Sequence, residues 1–263
     1  MTDPSSRAIR GVLLVAWALG SCGSEPIEFV LEDGPADAGA DADTDADTDA
    51  DSDSDADGDS DADCTAAATV FDFATDAMGF THQAAPDGYK DPWEFGEPTE
   101  TACHTGTSCF GTVLAADYGN CNAGRVISPV IDLSACAGQP DTVLLRFWHV
   151  YWLEPMSSEK WWDGALVQLS GDGGASWHDV EPSPPYAGPI EGYFNTCADG
   201  GMPDVDGHDG WSGIIEPEEW TEVTIPIADA LRTAEFAFSF VFGSDVGAVD
   251  SGWYVDDAEI AIE

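Results

Sequence analysis

The stretch "EFAFSFVF", residues 235–242, decides the fold. Its alternate positions Phe236, Phe238, Phe240 and Phe242 share one face of a strand, which is the period-two signature of a sheet lying on a core. Working outward, "TVLLRFWHVYW" (142–152) is equally dense in β-branched and aromatic residues. "TVFDFA", "GRVISPVIDL", "GALVQLS", "EWTEVTIPI" and "GWYVDDAEIAIE" supply further strands, separated by Gly, Pro, Asn and Asp clusters. The nearest approach to an amphipathic helix, "IADALRTAE" (227–235), is short. Many strands joined by long loops predict an all-β, antiparallel two-sheet sandwich. About 200 residues of this composition bury one sizeable core, so residues 64–263 read as one β domain.

The chain carries 51 Asp+Glu against seven Lys+Arg, a formal net charge of -44. Such a surface repels phosphate backbones and anionic headgroups, which argues against nucleic acid as a partner. At the amino end Arg7 and Arg10 precede the apolar run "GVLLVAWAL" (11–19), the length of a signal h-region and too short for a mature membrane span. It runs into "LGSC" (19–22) and there resembles a bacterial lipoprotein signal: residues 1–21 would be removed and Cys22 lipidated. Several acyl chains give stable anchoring, at about 0.8 kcal/mol per buried methylene. Gly23, rather than aspartate, follows the cysteine, and the resemblance then implies the outer membrane.

Residues 33–63 hold fourteen aspartates. Read as an EF-hand loop from Asp53, the run supplies Asp53, Asp55, Asp57 and Gly58, but its twelfth position is Cys64 instead of the bidentate glutamate. High charge with almost no apolar surface cannot offset ordering entropy, so residues 22–63 are expected to form a disordered, self-repelling tether, extending on the order of 100 Å. Setting Cys22 aside, six cysteines remain: Cys64, Cys103, Cys109, Cys121, Cys136 and Cys197. In an exported chain they suggest up to three disulfides, with Cys103 and Cys109 able to close a short loop and the other pairings open.

Six motifs in register carry a second resemblance: "WEFGEPTE" (93–100), "CFGTVLAADYGN" (109–120), "SPVIDLS" (128–134), "RFWHVYWLE" (146–154), "DGALVQLSGDGGASW" (163–177) and "GSDVGAVDSGWYVDDAEI" (243–260). Together they resemble the MAM-like, concanavalin-A-like domain attached to immune-inhibitor-A-type metallopeptidases. The resemblance implies a jelly roll over nearly all of the head. It does not bring the peptidase with it, because there is no HExxH and the five histidines lack metal spacing.

Several residues are candidates for chemistry. "SGDGGASW" (170–177) is similar to the Asp-box of sialidases. Asp172 is expected to cap a tight turn and Trp177 to plug the core beneath it. In the closing strand, alternation puts Asp256 with Tyr254, Ala258 and Ile260, and Asp257 with Trp253 and Val255, so one carboxylate faces the apolar side unless a bulge intervenes. A buried carboxylate needs a cation, and structural calcium suits hard oxygen ligands. The jelly-roll resemblance implies Asp72 or Asp76 as co-ligands. Backbone N–H capping, or pairing with Arg146, is the alternative. Trp152, Glu154, Trp161, Trp162 and Asp163 combine aromatics with carboxylates, as sugar sites do, although tryptophans also pin long loops. The insert 193–211, with Asp204, Asp206 and Asp209, reads as a solvated loop that Cys197 would hold. The expectation is a non-catalytic, cell-surface binding or adhesion module that recognises glycan or protein. The alternatives are a structural envelope lipoprotein, or a hydrolase using Glu154 or Glu218 from "EPEEW".

Overall fold

A computed structural model describes residues 63–85, 89–157, 159–191, 197, 205–216 and 218–263. The signal, Cys22, the aspartate run through residue 62 and Asp204 lie outside the described residues.

Thirteen strands are described: β1 (Thr69–Phe71), β2 (Thr81–Ala84), β3 (Trp93–Gly96), β4 (Cys109–Thr112), β5 (Ala123–Ile127), β6 (Val143–Trp152), β7 (Gly164–Ser170), β8 (His178–Asp179), β9 (Gly188–Pro189), β10 (Asp209–Gly210), β11 (Thr221–Pro226), β12 (Ala237–Gly243) and β13 (Gly252–Ile262). One sheet runs β11-β6-β13-β4-β3, with β1 also on β13; the other runs β2-β5-β12-β7-β8. β9 and β10 form a separate two-stranded ribbon. Every strand pair is antiparallel, and the two larger sheets make a jelly-roll sandwich. The stretch expected to come nearest to a helix contributes only a 3-10 turn, Asp229–Leu231.

The phenylalanine ladder does what its spacing predicts. Phe236, Phe238, Phe240 and Phe242 are fully buried between the sheets. Phe240 meets Phe147 of the opposite sheet edge-on, with ring centroids 4.9 Å apart, and Trp253 at 5.7 Å. Edge-on aromatic pairs add about 0.5–1.5 kcal/mol each beyond area burial, so these contacts lock the facing of the two sheets.

The six cysteines form three disulfides: Cys64–Cys136, Cys103–Cys109 and Cys121–Cys197. The first ties the start of the head to the turn Ser134–Cys136, and the third ties the loop before β5 to the insert.

The Asp-box turn forms, with one correction. Asp172 accepts from Ser176 N–H at 2.8 Å and from the hydroxyls of Ser170 and Ser176, while Gly173 and Gly174 take positive φ. These bonds hold its carboxyl down at about 2. Trp177, however, does not plug the core. It is half-buried beneath the Arg125 guanidinium, 5.1 Å from its ring. Arg125 is the cross-strand partner of Val241, on the face opposite the phenylalanines, so the turn directs Trp177 to the outside of the sandwich.

Candidate metal centre

In the closing strand a bulge between Asp256 and Glu259 removes the conflict that strict alternation creates. Before it, Trp253 and Val255 lie opposite Tyr151 and His149 on the core face. After it, Ile260 and Ile262 lie opposite Leu145 and Val143 on that same face. Asp257 takes the extra position with φ 45°. Asp256 therefore faces outward, opposite Trp148, instead of sharing a face with Ala258 and Ile260.

Asp256 is nevertheless fully buried, because the loop closed by Cys103–Cys109 lies over it. It accepts from Thr105 N–H at 3.0 Å and from Asp257 N–H at 2.9 Å, and burial raises its carboxyl to about 6. Asp257 binds His104 Nδ1 at 2.6 Å and accepts from the Thr105 hydroxyl at 2.8 Å. The His104 ring stacks on Trp148 at 3.9 Å. Arg146 bonds Glu259 and Glu263 and neither aspartate. Asp72 and Asp76 are exposed, each capping its own turn through Ala74 and Met78 N–H. The four residues proposed to share a calcium thus do not converge as one ligand group. The metal-ligand type atoms that approach Asp256 belong to Cys103 and Cys109, which are bonded to each other.

A different trio does converge. Oxygens of Glu154, Asp163 and Asp245 lie within 4.8 Å of one another. Glu154 follows β6, Asp163 immediately precedes β7 and Asp245 follows β12, so loops from both sheets meet there. Asp163 is fully buried. Its Oδ2 accepts from the Tyr118 hydroxyl at 2.6 Å, and its Oδ1 accepts from Asp245 N–H at 2.8 Å. The same Tyr118 hydroxyl accepts from Glu154 N–H at 2.9 Å, which orients the loop beyond β6. Gly247 N–H bonds Asp245 Oδ1, and a Cβ on Gly247 would lie 3.3 Å from Glu154 Oε2. Glu154 Oε2 itself is buried with no hydrogen-bond donor among the described residues.

The electrostatics follow from this crowding. Burial, with the neighbouring Asp245 and Glu154 as smaller contributions, pushes the Asp163 carboxyl up to about 7. Burial and then Asp245 raise Glu154 in the same direction. Among the described residues the ion pairs of Arg146 and Lys160 go to Glu259, Glu263 and Glu191, none to this trio. Three hard oxygen donors on loops, one with an orphaned oxygen, could hold a metal ion.

Sequence reasoning named Glu154 and Asp163 but grouped them with tryptophans. The structure separates the two sets. Trp152 is on the outer face of its sheet, donating to Glu218 at 3.0 Å; Trp162 donates to the Ser157 hydroxyl at 2.7 Å. Trp161 packs with the small cluster of Leu166, Ile190, Val205 and Val241, pinning its loop. Asp245 and Tyr118 were missed. The available signal was position: a carboxylate two residues beyond a core strand whose end pairs with the start of β7, Gly243 opposite Gly164.

No family model and no curated protein matches the chain. Among solved structures, the K3 cleaved adhesin domain of Lys-gingipain from Porphyromonas gingivalis is similar at 17% identity and TM-score 0.41, over 73% of this chain and 97% of that one. The K2 cleaved adhesin domain of Lys-gingipain is similar at 12% identity and TM-score 0.31, over 74% and 89% of the two chains.

Proposed function

We propose that this protein is an exported, lipid-anchored binding module with a MAM-like head that calcium stabilises and that grips a glycan or protein partner without catalysing a reaction. The observation that carries the reading is the meeting of Glu154, Asp163 and Asp245 where loops from both sheets converge. Three carboxylates at that spacing repel one another, and a divalent cation turns the repulsion into a clamp. Calcium fits because every donor is an oxygen and the donors sit on loops able to adopt a wide coordination shell. Clamped in this way, the loops leaving β6 and β12 and entering β7 form a rigid end to the sandwich, and rigid loops bind with less ordering cost. Cys22 would carry the acyl chains into the bilayer of the outer membrane, and the aspartate run would hold the head away from it. Nucleic acid is disfavoured as a partner by the charge of -44.

Calcium at about a hundred times its dissociation constant stabilises by about 2.7 kcal/mol, which is roughly a 5–10 °C rise in Tm for a domain of this size. Calorimetry with calcium and with chelator checks this. Asp245→Asn should abolish the rise, and a rise that survives the substitution places the ion elsewhere. The anchor is tested by mass spectrometry of the mature amino end. Acyl chains on Cys22, absent from Cys22→Ser, are expected; an unmodified amino end in the culture fluid refutes anchoring.

A further inference from the structure

β8 covers β7 only at Gln168 and Leu169, and beyond it the sheet edge is built from other parts. Tyr186 reaches in from the loop before β9, its hydroxyl donating to Val167 O at 3.3 Å and accepting from Val167 N–H at 3.0 Å. Its ring packs on Trp211 at 4.6 Å, which fixes it in place. Two adjoining clefts of about 430 and 310 Å³ open over it, and Tyr186, Glu181 and Asp209 line both. Asp179 walls the first cleft, and Pro182 and Pro185 wall the second.

The walls differ in what they have left to offer. Both oxygens of Asp179 are engaged, one by Gln168 Nε2 at 3.0 Å and one by His208 Nδ1 at 2.7 Å. Glu181 and Asp209 are exposed and have no hydrogen-bond or ion-pair partner among the described residues. The combination is two free carboxylates, a fixed aromatic ring and two prolines.

We propose that this double cleft receives an arginine side chain from an extended segment of a partner polypeptide. A guanidinium presents five donors in a planar fork that suits carboxylates, and its face is attracted to an aromatic ring. Glu181 and Asp209 take the charge, while Tyr186 and the two prolines flank the aliphatic stem. The chain's overall charge of -44 steers a basic partner toward it. This rests on the binding-module reading and names the chemistry of its partner; it does not require the calcium.

The test uses the full chain, ¹⁵N-labelled, titrated in physiological salt with acetyl-Gly-Arg-Gly-amide and with the same peptide carrying neutral citrulline. Saturating amide shifts at Val180, Tyr186 and Gly210 are expected with the arginine peptide. Binding should be at least tenfold weaker for citrulline and for the Glu181→Gln/Asp209→Asn double variant. Equal response to both peptides, retention in the double variant, or shifts confined to residues 33–63 would overturn the proposal. So would saturation of the same resonances by calcium alone with no peptide response. Calorimetry with calcium reads the clamp and the peptide titration reads the cleft, so failure of that clamp and failure of the cleft are distinguished.

Discussion

Replacing Cys64 and Cys136 together by alanine is expected to lower the unfolding free energy by about 4 kcal/mol. The cross-link spans 72 residues, and in the chain-entropy account a longer closed loop confines the unfolded chain more. Cys121–Cys197, spanning 76, should act to the same extent. Cys103–Cys109 spans six, and its removal should cost about 2 kcal/mol by the same relation. Urea unfolding of the three paired variants gives the order directly. A Cys103/Cys109 variant at least as unstable as the other two would mean that the short loop acts through the native state, by its cover over Asp256, and would refute the entropic ranking.

Acid should destabilise the head through His149. Its ring is fully buried among Phe147, Tyr151, Trp211 and Trp253, Nδ1 accepts from Trp253 Nε1–H at 3.3 Å, and Nε2 has no partner among the described residues. Burial depresses its pKa from 6.5 to about 3. The unfolded chain therefore takes up a proton near pH 6.5 that the folded chain refuses until about pH 3. The stability contributed by the neutral ring is present above pH 6.5 and is lost as pH falls through that window, by roughly 3 kcal/mol between pH 6.5 and 4. Asp163 works in the opposite direction. With its folded value raised to about 7, its protonated form favours folding, and that contribution is lost as pH rises through 7. His149→Gln keeps an acceptor for Trp253 and has no titration, so comparing urea midpoints of the two proteins from pH 7 to 4 isolates the histidine. The variant should be less stable at pH 7, and the difference between the two proteins should shrink by roughly 3 kcal/mol as pH falls to 4. Parallel curves would show that His149 does not govern the acid limb.

How far the site could be read from the residues differs by element. β12 and β6 are plain in the sequence because alternation alone reports which face is apolar, and each strand carries enough aromatic residues to leave one solution. The Asp-box is plain because its hydrogen bonds run between residues two to four apart. The side to which it sends Trp177 is not, since that depends on which face of β7 the turn leaves. The bulge at Asp257 is hidden for a related reason: one added residue exchanges the faces of everything after it, and only the register against β6 reveals the slip.

By itself the sequence determined a strand-rich head, the positions of its core aromatics, six cysteines available for cross-linking and a strongly acidic character. These follow from side-chain chemistry and from periods of a few residues. Tertiary structure alone decided which cysteines pair, that Asp245 joins Asp163, 82 residues before it, and Glu154, and that Glu181, Tyr186 and Asp209 open onto common clefts. Such groupings depend on how two sheets face each other and where their loops end. That is set by the mutual packing of the whole core, and no local stretch contains it.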